Sequence, residues 1–402
     1  MPPPTPLQTM VFNFRLLLRL VYKSLFCTRG TNARLTPKRL TVMLFLYPAY
    51  VLLETVHWLC FLLDDIFFSE YRSVDVKAPV FIVGAPRSGT TLLHRLLAGD
   101  EDTFTSMKMW EIFFAPSIVQ KKVCIALGSL DNKLGNPVKN RIKSLEKRCF
   151  DHLAHMHHTS LFQPEEDELL LFHIFSTSLL FVVFPFADEL GHFTRFDESL
   201  PAACRKRIMA FYKQCVQRHL FVFGRHKRFL SKNPSFTPKL QSLAETFPDA
   251  NIIWLLRTPL EVVPSAVNLS AHFQNVYTTP REPYPLSTFV YTSIRHWYHY
   301  AASRLAEWKG GRIRAVYYTR LTRHPDHTLH DLYTTFGIEM NRQFQAMLQF
   351  EAKKVRRYKS RHSYCLEDTG FSHDRIVSDF RDIFSRFGFA AGESFTTMDY
   401  KN

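Results

Sequence analysis

A short apolar run rich in β-branched residues, Pro79-Val80-Phe81-Ile82-Val83, leads directly into Gly84-Ala85-Pro86-Arg87-Ser88-Gly89-Thr90-Thr91. Leu92-Leu93-His94-Arg95-Leu96-Leu97 then begins a helical pattern. A continuous apolar run of this length reads as a parallel strand buried on both faces. Strand, glycine loop and helix in direct succession make an anion cradle. Backbone N–H groups and the positive end of the helix dipole face whatever sits there.

The spacing Gly84-x4-Gly89 matches the start of a nucleoside triphosphate loop, which continues with Lys and then Ser or Thr. Here Thr90-Thr91 follows, and the cation comes earlier, at Arg87, whose planar fork suits an oxyanion. The plain alternative is a structural turn with a solvated Arg87. The full string Ala85-Pro86-Arg87-Ser88-Gly89-Thr90-Thr91-Leu92-Leu93 resembles the 5′-phosphosulfate loop of sulfotransferases that use 3′-phosphoadenosine 5′-phosphosulfate (PAPS), with bacterial-type and tyrosylprotein-type members the nearest in pattern. The resemblance extends over about residues 78–390. It implies a three-layer α/β fold, like that of P-loop proteins, with a central parallel sheet and a helical insertion at 105–225. It assigns Arg87 and the Ser88, Gly89, Thr90 and Thr91 segment to the 5′-phosphosulfate.

A PAPS donor needs a second cation for its 3′-phosphate. Asn251–Leu256 reads as another buried strand, ending in Arg257, with Ser265 eight residues on in a helix from about Leu260. The resemblance assigns Arg257 and Ser265 to the 3′-phosphate; the competing reading of Arg257 is an ion pair with Glu261. A triphosphate enzyme usually has a magnesium-binding carboxylate at such a strand end. Here the position is Arg257, and no metal is expected.

Arg228–Ser231 reads as a strand, and Lys232-Asn233-Pro234 resembles the family's Lys-Ser-Pro segment. That implies a Lys232 that offsets charge on the bridging oxygen; a solvated strand-end lysine is the alternative. Many relatives carry His where this chain has Phe236, which shifts the expected base to a carboxylate, and the resemblance to tyrosylprotein-type and bacterial members implies Glu111, in Trp110-Glu111-Ile112-Phe113. Apolar neighbours are expected to raise its pKa into a useful range. The ordinary reading is a cap or surface Glu. His152, His155, His157 and His158 followed by Pro164-Glu165-Glu166-Asp167-Glu168 resembles the acceptor side, with His155 or Glu166 shaping the pocket. In the basic run 353–361, Arg361 is a further candidate phosphate contact. Tyr318-Thr319-Arg320-Leu321 resembles a family Tyr-Glu-x-Leu segment, with Thr319 in place of Glu.

Lys+Arg 51 against Asp+Glu 36 leaves +15, and 46% hydrophobic residues in 402 provide ample core, so a disordered chain is excluded. No recognition motif supports a nucleic-acid partner. The seven scattered cysteines, without a CxxC pair, are expected to be mostly buried thiols rather than disulfides or zinc ligands. Residues 1–77 form a basic and apolar segment ahead of a sulfotransferase domain at 78–402. Arg15, Arg19 and Lys23 fall on one face of a helix, as on an anionic membrane surface. Thr41–Leu63 is long enough to span a bilayer, with the amino terminus then cytoplasmic, but Glu54 at its centre must be paired or neutralised. The alternative is a helix pair packed on the main domain. Leu169–Phe186 is expected as a buried helix or an apolar groove.

The reading is a membrane-associated enzyme that moves a sulfuryl group from PAPS to a hydroxyl on a lipid, glycolipid or glycan. A Golgi-type lumen and the cytoplasmic face are both compatible compartments. The rivals are a P-loop kinase and a non-catalytic nucleotide-binding scaffold at a membrane.

Overall fold

In the computed structural model, which describes residues 12–150, 160–279, 286–308, 313–357 and 369–390, a five-stranded sheet of order β2-β3-β1-β4-β5 lies at the centre. The strands are β1 (Val80–Gly84), β2 (Phe104–Thr105), β3 (Arg228–Lys232), β4 (Asn251–Leu256) and β5 (Ile313–Tyr317), and every pairing is parallel. All five residues of β1 are buried, as their apolar character requires. The sequence reading gives four of these strands, the fourth from the alternation of Arg312–Tyr318. It missed β2, whose two residues are too few to carry a periodicity.

Register places the site. β1 lies between β3 and β4, with Ile82 opposite Lys232 and Gly84 opposite Leu255. The carboxyl ends of these three strands therefore open on one edge of the sheet, on either side of the central strand. In open α/β sheets that crevice is where ligands bind.

The helices used below are α1 (Phe14–Phe26), α2 (Pro37–Phe67), α3 (Thr90–Ala98), α4 (Met109–Phe114), α5 (Ile118–Lys133), α6 (Pro137–Phe150), α7 (Ala202–Phe223) and α8 (Pro259–Tyr277). α3 leaves β1 through the glycine loop and α8 leaves β4 through Arg257, so both loops point their helix N-termini to the same edge. Leu169–Phe186 is not one helix but breaks into short 3-10 turns at Asp167–Ile174 and Ser178–Val182. Its apolar residues Leu171, Ile174, Phe184 and Phe186 fill the main core. The cysteines differ from expectation: only Cys215 is buried among those described, Cys27 is exposed, and Cys60, Cys124 and Cys204 are half-buried free thiols.

α2 is docked along its whole length. Arg39 donates to the carbonyls of Val183 and Tyr277 at 2.8 and 2.9 Å, and Tyr50 to that of Phe172 at 2.7 Å. Glu54 pairs with His173 at 2.7 Å, and Asp64 with Arg218 at 2.9 Å. Asp64 also accepts the backbone N–H groups of Ile118 and Val119, the first residues of α5, where a helix N-terminus favours an anion. These partners give Glu54 the pairing its place in an apolar stretch demands, and the helix packs on the main domain. Its opposite face, including Leu44, Phe45, Leu52 and Ile66, is exposed.

Candidate functional site

The glycine loop is shaped by close approach. Gly89 has φ +96°, and a Cβ there would lie 2.5 Å from Cδ2 of Tyr318. Gly84 has φ +145°, and a Cβ there would meet the Leu255 carbonyl oxygen at 2.7 Å. Arg87 adopts φ +68°, a conformation few side chains tolerate, and its Nε donates to Ser265 Oγ at 3.0 Å. Ser88 is fully buried, and its Oγ has no hydrogen-bond partner among the described residues. A buried hydroxyl without a partner costs free energy that a ligand oxygen would restore.

Arg257 joins this corner from the end of β4. Its Nη1 donates to the Arg87 carbonyl at 2.9 Å, and its guanidinium lies 4.4 Å from the centre of the Tyr318 ring. Its Nε donates to Glu261 at 2.7 Å, so the ion pair weighed from the sequence is present. The structure thus brings Arg87, Ser88, Gly89, Arg257 and Ser265 together, and Thr90 and Thr91 open α3 beside them. Tyr318 is a member of this corner that the sequence reading quoted only within a segment. It is legible as one of the two residues of that segment, with Leu321, that match the family pattern.

The acidic run 165–168 lies across the end of β3 and is bound residue by residue. Lys232 Nζ donates to Glu166 at 2.8 Å and to Glu165 at 3.3 Å. Ser231 and Asn233 each donate to Asp167 at 2.9 Å, and Lys239 donates to Glu168 at 2.6 Å. Asn233 Oδ1 also accepts the Glu168 backbone N–H at 2.9 Å. An amide both donates and accepts, so Asn233 makes two contacts with this run where a serine has one hydroxyl. Burial pulls the Lys232 pKa down, but the charges of Glu166 and Glu165 and their hydrogen bonds outweigh it and hold the ammonium protonated above its ordinary value. None of these pairings could be read from the sequence, because the two segments are 66 positions apart at Lys232 and Glu166.

His94 of α3 faces this centre. It is buried, its Nε2 is 3.0 Å from Ser106 Oγ, and its Nδ1 has no partner among the described residues. Burial, then the neighbouring charge of Lys232, pushes its pKa down to about 3. The ring is therefore neutral at physiological pH.

Glu111 differs from expectation in its electrostatics. It is 1% exposed, with one oxygen 2.8 Å from His219 Nδ1 and the other accepting the Lys108 backbone N–H at 3.0 Å. His219 Nε2 in turn lies 2.8 Å from Thr105 Oγ1. Burial pushes the Glu111 pKa up, but His219, Lys121 and the Lys108 N–H more than offset it and leave the carboxyl below its ordinary value. The apolar neighbours anticipated from the sequence are outweighed by polar ones.

Glu54, His57 and His173 gather within 4.8 Å, a grouping that resembles a metal centre. The ring nitrogens are held by the protein: His57 by the Phe113 carbonyl and Gln120, His173 by the Ile112 carbonyl and Glu54. The cluster ties α2 to α4 and α5. Arg361 and the cluster His152, His155, His157 and His158 lie outside the described residues.

A family model described as the sulfotransferase family matches residues 79–342, about two thirds of the chain. Omega-hydroxy-beta-dihydromenaquinone-9 sulfotransferases Stf3 of Mycobacterium bovis and Mycobacterium tuberculosis are each 28% identical over 203 residues, which cover 49% of this chain and 46% of theirs. The chain thus spans about half the length of the curated relatives it matches. Among solved structures, sulfotransferase STF9 from Mycobacterium avium aligns with a TM-score of 0.72 at 18% identity, covering 93% of this chain and 91% of that one. Sulfotransferase STF1 from Mycobacterium tuberculosis H37Rv aligns at 0.67 and 20% identity, with 92% of each chain covered. At such identities the likeness speaks for the fold.

Proposed function

The chain belongs to the sulfotransferase family, and from that premise we propose that it transfers a sulfuryl group from PAPS to a hydroxyl of a membrane lipid or glycolipid. The observation that carries the donor is the corner where Arg87 reaches Ser265 and Arg257 reaches the Arg87 carbonyl. Two guanidinium groups and a buried unpartnered Ser88 hydroxyl suit a ligand with two separate phosphate groups.

In this reading Arg87 and the Ser88–Thr91 segment hold the 5′-phosphosulfate, Arg257 and Ser265 hold the 3′-phosphate, selecting against ATP, and Arg361 is a further phosphate contact. The acceptor oxygen forms its bond to sulfur as the bond from sulfur to the donor phosphate oxygen breaks. Lys232, kept protonated, offsets the charge that develops on that bridging oxygen. The acceptor proton passes to a carboxylate. The family resemblance gives that role to Glu111. A second reading gives it to Glu166, and one observation favours it: the Glu166 side chain is 24% exposed and touches Lys232, whereas that of Glu111 is 1% exposed and is held by His219.

The lipid acceptor and membrane association rest on the exposed apolar face of the amino-terminal helices, and the relatives are named for a hydroxylated dihydromenaquinone. An acidic glycan is the other acceptor class compatible with the basic α5–α6 region.

Calorimetry with adenosine 3′,5′-bisphosphate in the absence of metal tests the donor site. Binding that is lost in Arg257→Ala supports it and justifies an acceptor screen with labelled donor. Mg²⁺-dependent ATP binding without bisphosphate binding would replace it with a kinase.

A further inference from the structure

α2 is apolar on the outside and charged on the inside. Arg39, Glu54, His57 and Asp64, together with Met43 and Phe61, recur at helical spacing and are buried against the domain. From Arg39 to Asp64 this strip runs about 38 Å at 1.5 Å per residue, longer than the roughly 30 Å of a bilayer's hydrocarbon. To cross a membrane the helix would have to pull each of these groups from its partner and expose it to lipid.

The outward apolar row is not isolated. α2 touches α1 where Arg39 and Tyr47 meet Ser24, and touches α5 through Asp64 and through His57 with Gln120. α1 adds exposed Leu18 and Phe26, and α5 adds exposed Leu127 and Leu130. Charge follows the same layout. Arg15, Lys122, Lys139, Arg141, Lys143 and Lys147 of α1, α5 and α6 are exposed. Among the described residues of α1, α2, α5 and α6, no carboxylate is exposed. Glu54 and Asp64 are buried, and Asp65, Asp131 and Glu146 are half-buried with hydrogen bonds to Tyr71, Val138 and Leu161. The exposed residues described on these helices are thus apolar, basic or uncharged, and such a face complements an anionic lipid surface.

We propose that α1, α2 and α5 seat the enzyme on one leaflet of an anionic bilayer, with α2 lying in the membrane plane and not crossing it. This deepens the membrane association included in the function proposed above, and rests on that reading. The basic residues of α5 and α6 meet headgroups at its margin, and the sheet edge that carries the donor corner stays with the body of the protein.

The test uses the full chain, an amino-terminal tag, and vesicles of phosphatidylcholine alone or mixed with phosphatidylserine. The expected result is sedimentation with the mixed vesicles, weakened by salt, and a tag that externally added protease removes. Leu44→Glu with Leu52→Glu is expected to weaken vesicle binding roughly tenfold or more, with adenosine 3′,5′-bisphosphate binding unchanged as proof of folding. A tag protected inside sealed vesicles overturns the in-plane placement. A dimer without vesicle affinity, dissolved by the same two substitutions, overturns the lipid assignment in favour of a second copy. Vesicle binding together with transfer only to soluble glycans removes the lipid acceptor and keeps the membrane face. Bisphosphate binding without vesicle binding removes the face and keeps the donor site.

Discussion

Arg87 Nε donates to Ser265 Oγ at 3.0 Å, joining the loop after β1 to the helix after β4 across 178 positions of sequence. The contact places a guanidinium and a hydroxyl from the two proposed phosphate subsites within one hydrogen bond of each other.

Coupling between them follows. Ser265→Ala is expected to weaken adenosine 3′,5′-bisphosphate binding by about 1 kcal/mol and Arg87→Ala by about 2–3 kcal/mol, the range for neutral and charged hydrogen bonds. The double variant should lose less than the sum, because the two side chains hydrogen-bond each other. Calorimetry on the four proteins measures this, and strict additivity would show that the two side chains act apart.

The two candidate bases separate by what each substitution disturbs. Glu166→Gln is expected to lower kcat by about a hundredfold or more while the protein keeps its melting temperature. Glu111→Ala, which leaves the buried Nδ1 of His219 without its partner, is expected to cost about 1–3 kcal/mol of stability. Glu111→Gln keeps the shape of the side chain. If it retains its stability yet loses turnover, with loss of the acidic limb of the pH–rate profile, Glu111 is the base and Glu166 is not.

Acid should unfold the protein through buried histidines. Burial, then Lys232, holds His94 at about 3, and burial, then His173, holds His57 at about 4, against about 6.5 in an unfolded chain. A depressed folded pKa stabilises the fold above the unfolded value, and that contribution disappears as pH falls through the window from 6.5 to the folded value. Each histidine contributes a slope of up to about 1.4 kcal/mol per pH unit there. Urea midpoints measured between pH 7 and pH 4 should fall, and less steeply in His94→Gln. An unchanged slope in that variant would show that His94 is not held neutral. Lys232, raised by its two glutamates, loses its own contribution only as pH climbs through its elevated value, above the acid window.

Gly89→Ala should damage the proposed donor corner. The added Cβ meets the Tyr318 ring at 2.5 Å on a backbone at φ +96°, and that ring also packs against Arg257. A stability loss of more than about 1 kcal/mol and weaker bisphosphate binding are expected. Normal binding would show that Tyr318 moves aside freely.

Much of the site was legible because it is local. Strand, loop and helix around Gly84–Thr91 are contiguous, so one string of residues carries both the geometry and the cation. The strand before Arg257 has the same character. The environment of Glu111 was not legible: its pKa depends on His219, 108 positions away, and on Lys121, neither of which the string Trp110-Glu111-Ile112 announces.

The amino-acid sequence by itself determined that Thr41–Leu63 is a long apolar stretch suited to a helix, that β1 is buried on both faces, and that a glycine loop ends it, since these follow from composition and spacing within one short stretch. Only the tertiary structure decided which face of that helix turns inward, and which carboxylates meet Lys232. A charged group is stable in a low-dielectric interior only where its partner arrives. Here the partners arrive from 119 positions away for Glu54, 154 for Asp64 and 66 for Lys232, so chain crossing, not local pattern, settles where those charges can lie.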